Sequence, residues 1–458
     1  MSDSPALDRS YRALLAVPSL GRVLLGMQLA RIGQQMLAIA MVLFTLRTYH
    51  SAPLAGLVTF AGIVPGLLVS PVAGALLDRH GRVRLVQLDF IVALASLALI
   101  GMLALADVLP AWLLLLIAAV SSLTAPLSST GLRSLFPLVV PSHLWERVNA
   151  VDSNGYVVAT IVGPPIAASL VGLVGGAPTL LLVAALYGLA AVVLIGSPDP
   201  QTETASTGRI LVDAWQGLRY TWSNRTLRGL AGAVSVLNLA WGMTTIVIPL
   251  IVLERLGLPD SVVGRVYAIQ GRFGMVAAFA AGRIDSRGRE RPMFVWPMVA
   301  TAASLPLLLI PGSGILPLAV FAAITGFVNG PMDIALFTLR QRRTDPAWMG
   351  RAFAVSMNLN FAGFPVGSAI AGAIAERSID AAVIAGIAAV VIATVIAVRA
   401  IPFEVSPDEG LASVGAARRP ADPTSDTRPS GDAAGRAGGS HEGLVDQRTE
   451  DLVAAGER

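Results

Sequence analysis

The chain has 458 residues, a mean hydropathy of +0.70, 54% hydrophobic residues and only 14% charged ones, which is too apolar for a soluble globular protein. Lysine is absent, so the net charge of +4 rests on arginine, and no concentrated basic face points to a nucleic-acid partner. Without cysteine there are no disulfides, thiolate metal sites or cysteine nucleophiles, and His50, His80, His143 and His441 are too scattered for a metal cluster.

Residues 1–19 are polar and lack the short apolar core of a signal peptide, so insertion is expected to rely on the first membrane span. A span needs roughly 20 apolar residues to cross about 30 Å of hydrocarbon. Twelve such runs fall near 20–46, 53–77, 85–106, 110–136, 150–173, 177–196, 229–253, 261–283, 292–311, 315–339, 351–374 and 379–400. The fold class expected is therefore an all-α integral membrane protein, with a bundle of six helices over 20–196 and a second over 229–401. Arginines set its orientation: Arg79, Arg82, Arg84, Arg147, Arg209, Arg219, Arg225, Arg228, Arg287, Arg289, Arg291, Arg340, Arg342 and Arg343 share one side, against Arg47, Arg255 and Arg377 on the other. Both termini are expected in the cytoplasm of a cell whose plasma membrane holds the chain. The linker over 197–228 begins polar and then alternates apolar and basic residues from Arg209 to Arg228, which predicts an interfacial helix with Trp215, Tyr220 and Trp222 at headgroup level. Residues 402–458 have too little apolar content to bury a core and are expected to be disordered.

Two loops carry the strongest signal. Gly74–Arg84 reads GALLDRHGRVR and Ala281–Arg291 reads AGRIDSRGRER, so that Asp78, Gly81, Arg82 and Arg84 recur as Asp285, Gly288, Arg289 and Arg291, each 207 residues on. An internal repeat in a membrane chain points to a transporter of two similar halves. The first loop resembles the signature Gly-x-x-x-Asp-Arg-x-Gly-Arg of the major facilitator superfamily, with Gly74, Asp78, Arg79, Gly81 and Arg82 at every fixed position. The second copy departs from it at Ala281 and Ser286. Phe136–Pro141, Arg147–Ala150, Trp215–Tyr220 and Gly350–Arg351 are similar to the macrolide and enterobactin exporters of that superfamily. The resemblance implies twelve helices in two pseudo-symmetric bundles, alternating access, no cofactor, a small-molecule substrate and a monomer in the bilayer. It further implies that Asp78 holds a gate against a helix N-terminus near Gly350–Arg351 and against Arg133, with Asp89 close by. In span 5, Gly163 and Pro164 fit the superfamily's antiporter signature, whereas Ala167 and Ala168 replace its glycines.

Polar residues in the spans supply the candidate pathway. Spans 6 and 12 are almost purely aliphatic and should face lipid, whereas spans 1, 4, 7 and 10 hold amides, hydroxyls and charges. Gln28, Arg31 and Gln35 share one helical face, as do Asn238, Trp241 and Thr245, and Arg31 and Asn238 are related by the repeat step. They read as cavity-lining residues or as polar glue between helices. Asn358 in span 11 joins the cavity set. Arg272 lies mid-span and calls for a carboxylate, with Asp333 or Asp152 as candidates, and Asn329 is one turn from Asp333. Asp333, Asp152 and Asp89 are the candidate proton-coupling groups. Gly163–Pro165 and Gly363–Gly367 are expected to interrupt spans 5 and 11 and to permit kinks and close backbone approach. The favoured function is proton-coupled export of amphipathic small molecules. Uptake or lipid-related transport, and a non-transporting sensor that uses the same fold, are the alternatives. No ATP-binding Gly-x-x-x-x-Gly-Lys motif exists in a chain without lysine, and no catalytic motif marks an enzyme.

Overall fold

Apolar runs with satisfied backbones become helices, and the computed structural model of the chain is built of them. It describes residues 8, 10–199, 210–281, 289–310, 314–344 and 348–401. The residues expected to form a disordered tail, and most of the second signature loop, lie outside that set.

A short helix, α1 (Tyr11–Leu15), precedes α2 (Leu20–Tyr49), which corresponds to span 1. Span 2 is divided into α3 (Ala52–Ala61) and α4 (Val64–His80), with the break just before Pro65. Span 3 is α5 (Arg82–Leu105). Span 4 divides likewise into α6 (Ala111–Ser122) and α7 (Ala125–Val139), ahead of Pro126. Spans 5 and 6 are α8 (Trp145–Val174) and α9 (Gly176–Val193). The linker helix is α10 (Ile210–Ser223). The second half contains α11 (Arg225–Leu250), α12 (Asp260–Ala281), α13 (Glu290–Ser304), α14 (Leu316–Arg342), α15 (Met349–Ala375) and α16 (Ile379–Ala400). Among the described residues ten helical segments are long and apolar enough to cross a membrane. The helices α12 and α15, outside that group, have 22 and 27 residues and complete two sets of six.

Three expectations change here. Gly163–Pro165 does not interrupt span 5, since α8 runs unbroken through Pro164 and Pro165. Gly363–Gly367 likewise lies within continuous α15, where Pro365 is internal. The close backbone approach expected of these clusters is present: a Cβ on Gly363 would stand 1.8 Å from the Ser235 carbonyl oxygen, and one on Gly367 would stand 1.9 Å from that of Leu239. The third change concerns α10. Trp215 and Trp222 are exposed, as an interfacial role requires, but Tyr220 is buried and stacks on Trp348 with ring centroids 5.1 Å apart.

The helices pack as two groups. In the first, α2 packs on α8 and α9, and α5 on α9 and α7; in the second, α11 packs on α15 and α16, and α12 and α13 on α14. The groups meet along two seams, α8 with α12 and α3 with α15. Leu182, Leu189 and Val192 on α9, and Ile384, Val391 and Ile392 on α16, are exposed on the outer surface, where a bilayer would cover them.

Candidate substrate pathway and gate

The seams are tight at the end opposite the Gly81 loop. A Cβ on Gly56 of α3 would lie 2.3 Å from the Ser368 carbonyl oxygen of α15, and one on Gly372 of α15 would lie 2.4 Å from that of Ala52. Gly264 of α12 sits against Pro165 of α8, and Gly271 against Ile161. Arg47, at the end of α2, closes the same end across the halves: its Nε and Nη2 donate to the two oxygens of Asp260 at 3.2 and 3.0 Å. Toward the Gly81 loop the α8–α12 seam parts. Asn154 lies on the same face of α8 as Ile161 and Pro165, about two and three turns away, yet it is exposed.

Asp152 of α8 is the most heavily engaged carboxylate among the described spans. Arg31 of α2 donates to its Oδ1 at 2.5 Å and to its backbone oxygen at 2.9 Å, and Arg133 of α7 donates to Oδ2 at 2.9 Å. The side chains of Arg31 and Asp152 are 13% and 7% exposed, whereas that of Arg133 is 52% exposed, so Arg133 reaches the joint from an open space. The Arg31 guanidinium also lies 5.9 Å from the ring centroid of Tyr156. Gln28 rests against Gly155, and Gln35 donates to Thr160 at 3.3 Å. The polar face of span 1 thus meets α8, and a cavity of about 300 Å³ between α2 and α8 is lined by Gln28, Arg31, Asp152 and Gly155 with Leu24, Met27, Val151 and Val158.

In the second half, Asn238 of α11 donates to the Asn360 carbonyl at 2.9 Å, and the Thr245 hydroxyl donates to the carbonyl of half-buried Trp241 at 3.0 Å. Asn329 donates to Asp333 Oδ2 at 3.1 Å within α14. Asn358 of α15 crosses to the other half and donates to Ser70 at 3.0 Å. The partner expected for Arg272 is not found: Asp152 is taken by Arg31 and Arg133, Asp333 by Asn329, and Arg272 is exposed with no ion pair among the described residues. Asp89 does not join a loop cluster. It is buried inside the first half, within reach of the Ser128 and Thr124 hydroxyls of span 4.

The gate motif is seen in part. The side chain of Asp78, and Gly74, Asp285 and Gly288, lie outside the description, while Arg79 and Arg289 are exposed. Arg133, expected beside Asp78, reaches Asp152, and its relation to the Asp78 side chain lies outside the described residues. Gly81 adopts φ 93°, which L side chains rarely adopt, and a Cβ there would stand 2.3 Å from Oδ2 of Asp199. Asp199, from the linker, accepts the Arg82 and Arg84 backbone N–H groups at 2.7 and 3.2 Å and so caps α5. Arg82 is buried, and its Nε donates to Ser134 at 3.0 Å. Sequence reasoning missed Asp199, the Arg47–Asp260 pair and Arg340. The last of these reads as one arginine of a loop cluster, but it is fully buried against Met357 and Asn360 of α15. The 207-residue step from Arg133 was the available signal for it.

A polytopic helical protein with two related halves, tight at one end of the α8–α12 seam and parted at the other, with polar residues at membrane depth, has the construction of a transporter for small molecules. The comparisons agree, and the chain belongs to the Major Facilitator Superfamily, whose profile matches residues 23–368 and again 230–434. It is 38% identical over 408 residues to the uncharacterized MFS-type transporter y4rN of Sinorhizobium fredii, covering 87% of this chain and 98% of that one. The multidrug efflux pump Tap of Mycobacterium tuberculosis is 25% identical over 373 residues, covering 77% of this chain and 86% of Tap. The macrolide efflux protein A of Streptococcus pyogenes is 21% identical over 363 residues, covering 77% and 88%. Among solved structures, the nucleoside transporter NupG (D323A mutant) superposes with a TM-score of 0.65 at 12% identity, over 87% of this chain and 99% of NupG. A bacterial homologue of ferroportin in an inward-facing state also gives 0.65, at 15% identity, over 84% and 98%. These structures share the fold.

Proposed function

We propose that the protein exports amphipathic small molecules across the plasma membrane by alternating access, with proton antiport as the driving reaction. The observation that carries the reading is the asymmetry of the α8–α12 seam, closed beside Arg47–Asp260 and parted beside Asn154. With the arginine-rich loops in the cytoplasm, this is an inward-open state, ready to load substrate from inside. Both termini then lie in the cytoplasm, residues 20–196 and 229–401 act as the two rocking bundles, and a monomer suffices. The efflux pumps among the relatives favour export over uptake. For coupling, Asp333 is the better of the intramembrane carboxylates. Its described partner is the neutral amide of Asn329, whereas Asp152 is already paired with two guanidiniums. Asp89, among hydroxyls, is second.

The test is accumulation of ethidium and of macrolides by everted membrane vesicles, with and without a proton gradient, in wild type and Asp333→Asn. Gradient-dependent accumulation that Asp333→Asn abolishes is the expected result. Retention by that variant, with loss in Asp89→Asn, moves the coupling group to Asp89. No accumulation of any compound would overturn the exporter reading.

A further inference from the structure

Each half contains a polar joint of three helices, and the two joints occupy equivalent places. In the first half, Asp152 on α8 takes Arg31 from α2 and Arg133 from α7. The 207-residue offset carries Arg31 to Asn238 on α11 and Arg133 to Arg340 on α14, and an offset of 208 carries Asp152 to Asn360 on α15. These three residues also meet. Asn238 Nδ2 donates to the Asn360 backbone oxygen at 2.9 Å, as Arg31 Nη1 donates to that of Asp152 at 2.9 Å. Arg340 Nη2 donates to the Asn360 side-chain oxygen at 2.6 Å, in the amide orientation that also lets Asn360 donate to the Ser356 carbonyl. In both halves the first helix bonds the backbone of the fifth, and an arginine of the fourth bonds its side chain.

We propose that Arg340, Asn360 and Asn238 are positioning residues that form a second joint equivalent to Arg133, Asp152 and Arg31, and that both joints lock the first, fourth and fifth helices of a half into one moving body. Asp152 is then the anion of a joint and not the proton carrier. Hydrogen bonds at a buried node fix the relative rotation and height of three helices, which apolar contacts alone leave free to slide. The two nodes reach this by different compositions, one cation–carboxylate–cation and the other amide–amide–guanidinium. Replacing Asp152 alone would leave two guanidiniums facing each other without their anion. Replacing Arg31 and Asp152 together with asparagine gives the composition that the second half already uses.

This inference rests on the transporter reading but not on export or on antiport. Wild type, Asp152→Asn, Arg31→Asn/Asp152→Asn and Arg340→Gln would be purified and compared by thermal midpoint, and by ethidium counterflow in proteoliposomes without a proton gradient. Counterflow should fall about tenfold or more in Asp152→Asn and in Arg340→Gln, and return to within about threefold of wild type in the double variant. The midpoints should follow the same order, and they read the joint whether or not ethidium is a substrate. A double variant no better than Asp152→Asn in midpoint would overturn the equivalence. Double-variant counterflow that is normal, while gradient-driven accumulation is lost, would overturn the statement that Asp152 carries no proton. Wild-type protein that shows no counterflow, with the midpoints in the expected order, would strike the substrate reading and leave the joint standing.

Discussion

Arg47→Gln should open the closed end of the pathway, and the size of the effect follows from the burial of the pair. Both guanidinium–carboxylate contacts are within hydrogen-bond range, at 3.2 and 3.0 Å, so the bridge is bidentate. The Asp260 side chain is 10% exposed but that of Arg47 is 49% exposed, and water screens the cation. Exposed pairs contribute about 0.2–1 kcal/mol, and the burial of the carboxylate places this one near the top of that range, at about 1 kcal/mol. The bridge joins α2 of one half to α12 of the other, so that energy exists only while this end is shut. Its loss should raise the population open at this end about fivefold. The chain has no cysteine, so Ser261→Cys, beside Gly172 on the same seam, can report opening through its labelling rate with a membrane-impermeant maleimide. Labelling should rise about fivefold in Arg47→Gln and in Asp260→Asn, and hardly further in the double variant, because one interaction is lost once. Raising the salt should shrink the difference, since screening already weakens the wild-type pair. Fully additive effects of the two substitutions, or no change in either, would refute the assignment of Arg47–Asp260 as a latch.

Two further outcomes follow from glycine positions. Gly81→Ala should cost about 1–3 kcal/mol, because the residue sits at φ 93° and its new Cβ would meet the Asp199 carboxylate. In an Asp199→Ala background the clash is gone and only the backbone strain remains, so the fall in thermal midpoint should be smaller there. Gly242→Ala should be more damaging, because a Cβ would stand 1.9 Å from the Phe364 carbonyl oxygen at the α11–α15 crossing. It should lower both the midpoint and the yield of monodisperse protein in detergent, whereas Gly21→Ala, with nothing within 4 Å, should leave both unchanged.

The sequence alone determined the class and the plan of this protein. The bilayer requires long apolar helices with no unpaired backbone, so twelve spans could be counted from composition, and the repeat of 207 residues divided them into halves. The segregation of polar residues pointed to α2, to α6 and α7, to α11 and to α14, for the same energetic reason. What it left open is the partner each polar residue takes. Arg133, expected at the Asp78 loop, reaches Asp152, and Arg272 has no carboxylate partner among the described residues. Arg340 sits among loop arginines in sequence yet is fully buried, because α14 continues to Arg342 and α15 packs across it. Asp199 and Arg47 carry no motif, and their roles exist only because the linker folds back on α5 and because α2 ends beside α12. Helical periodicity places a residue on a face, but rotation and crossing of helices more than a hundred residues apart decide which face it meets, and those are set by packing across the whole bundle.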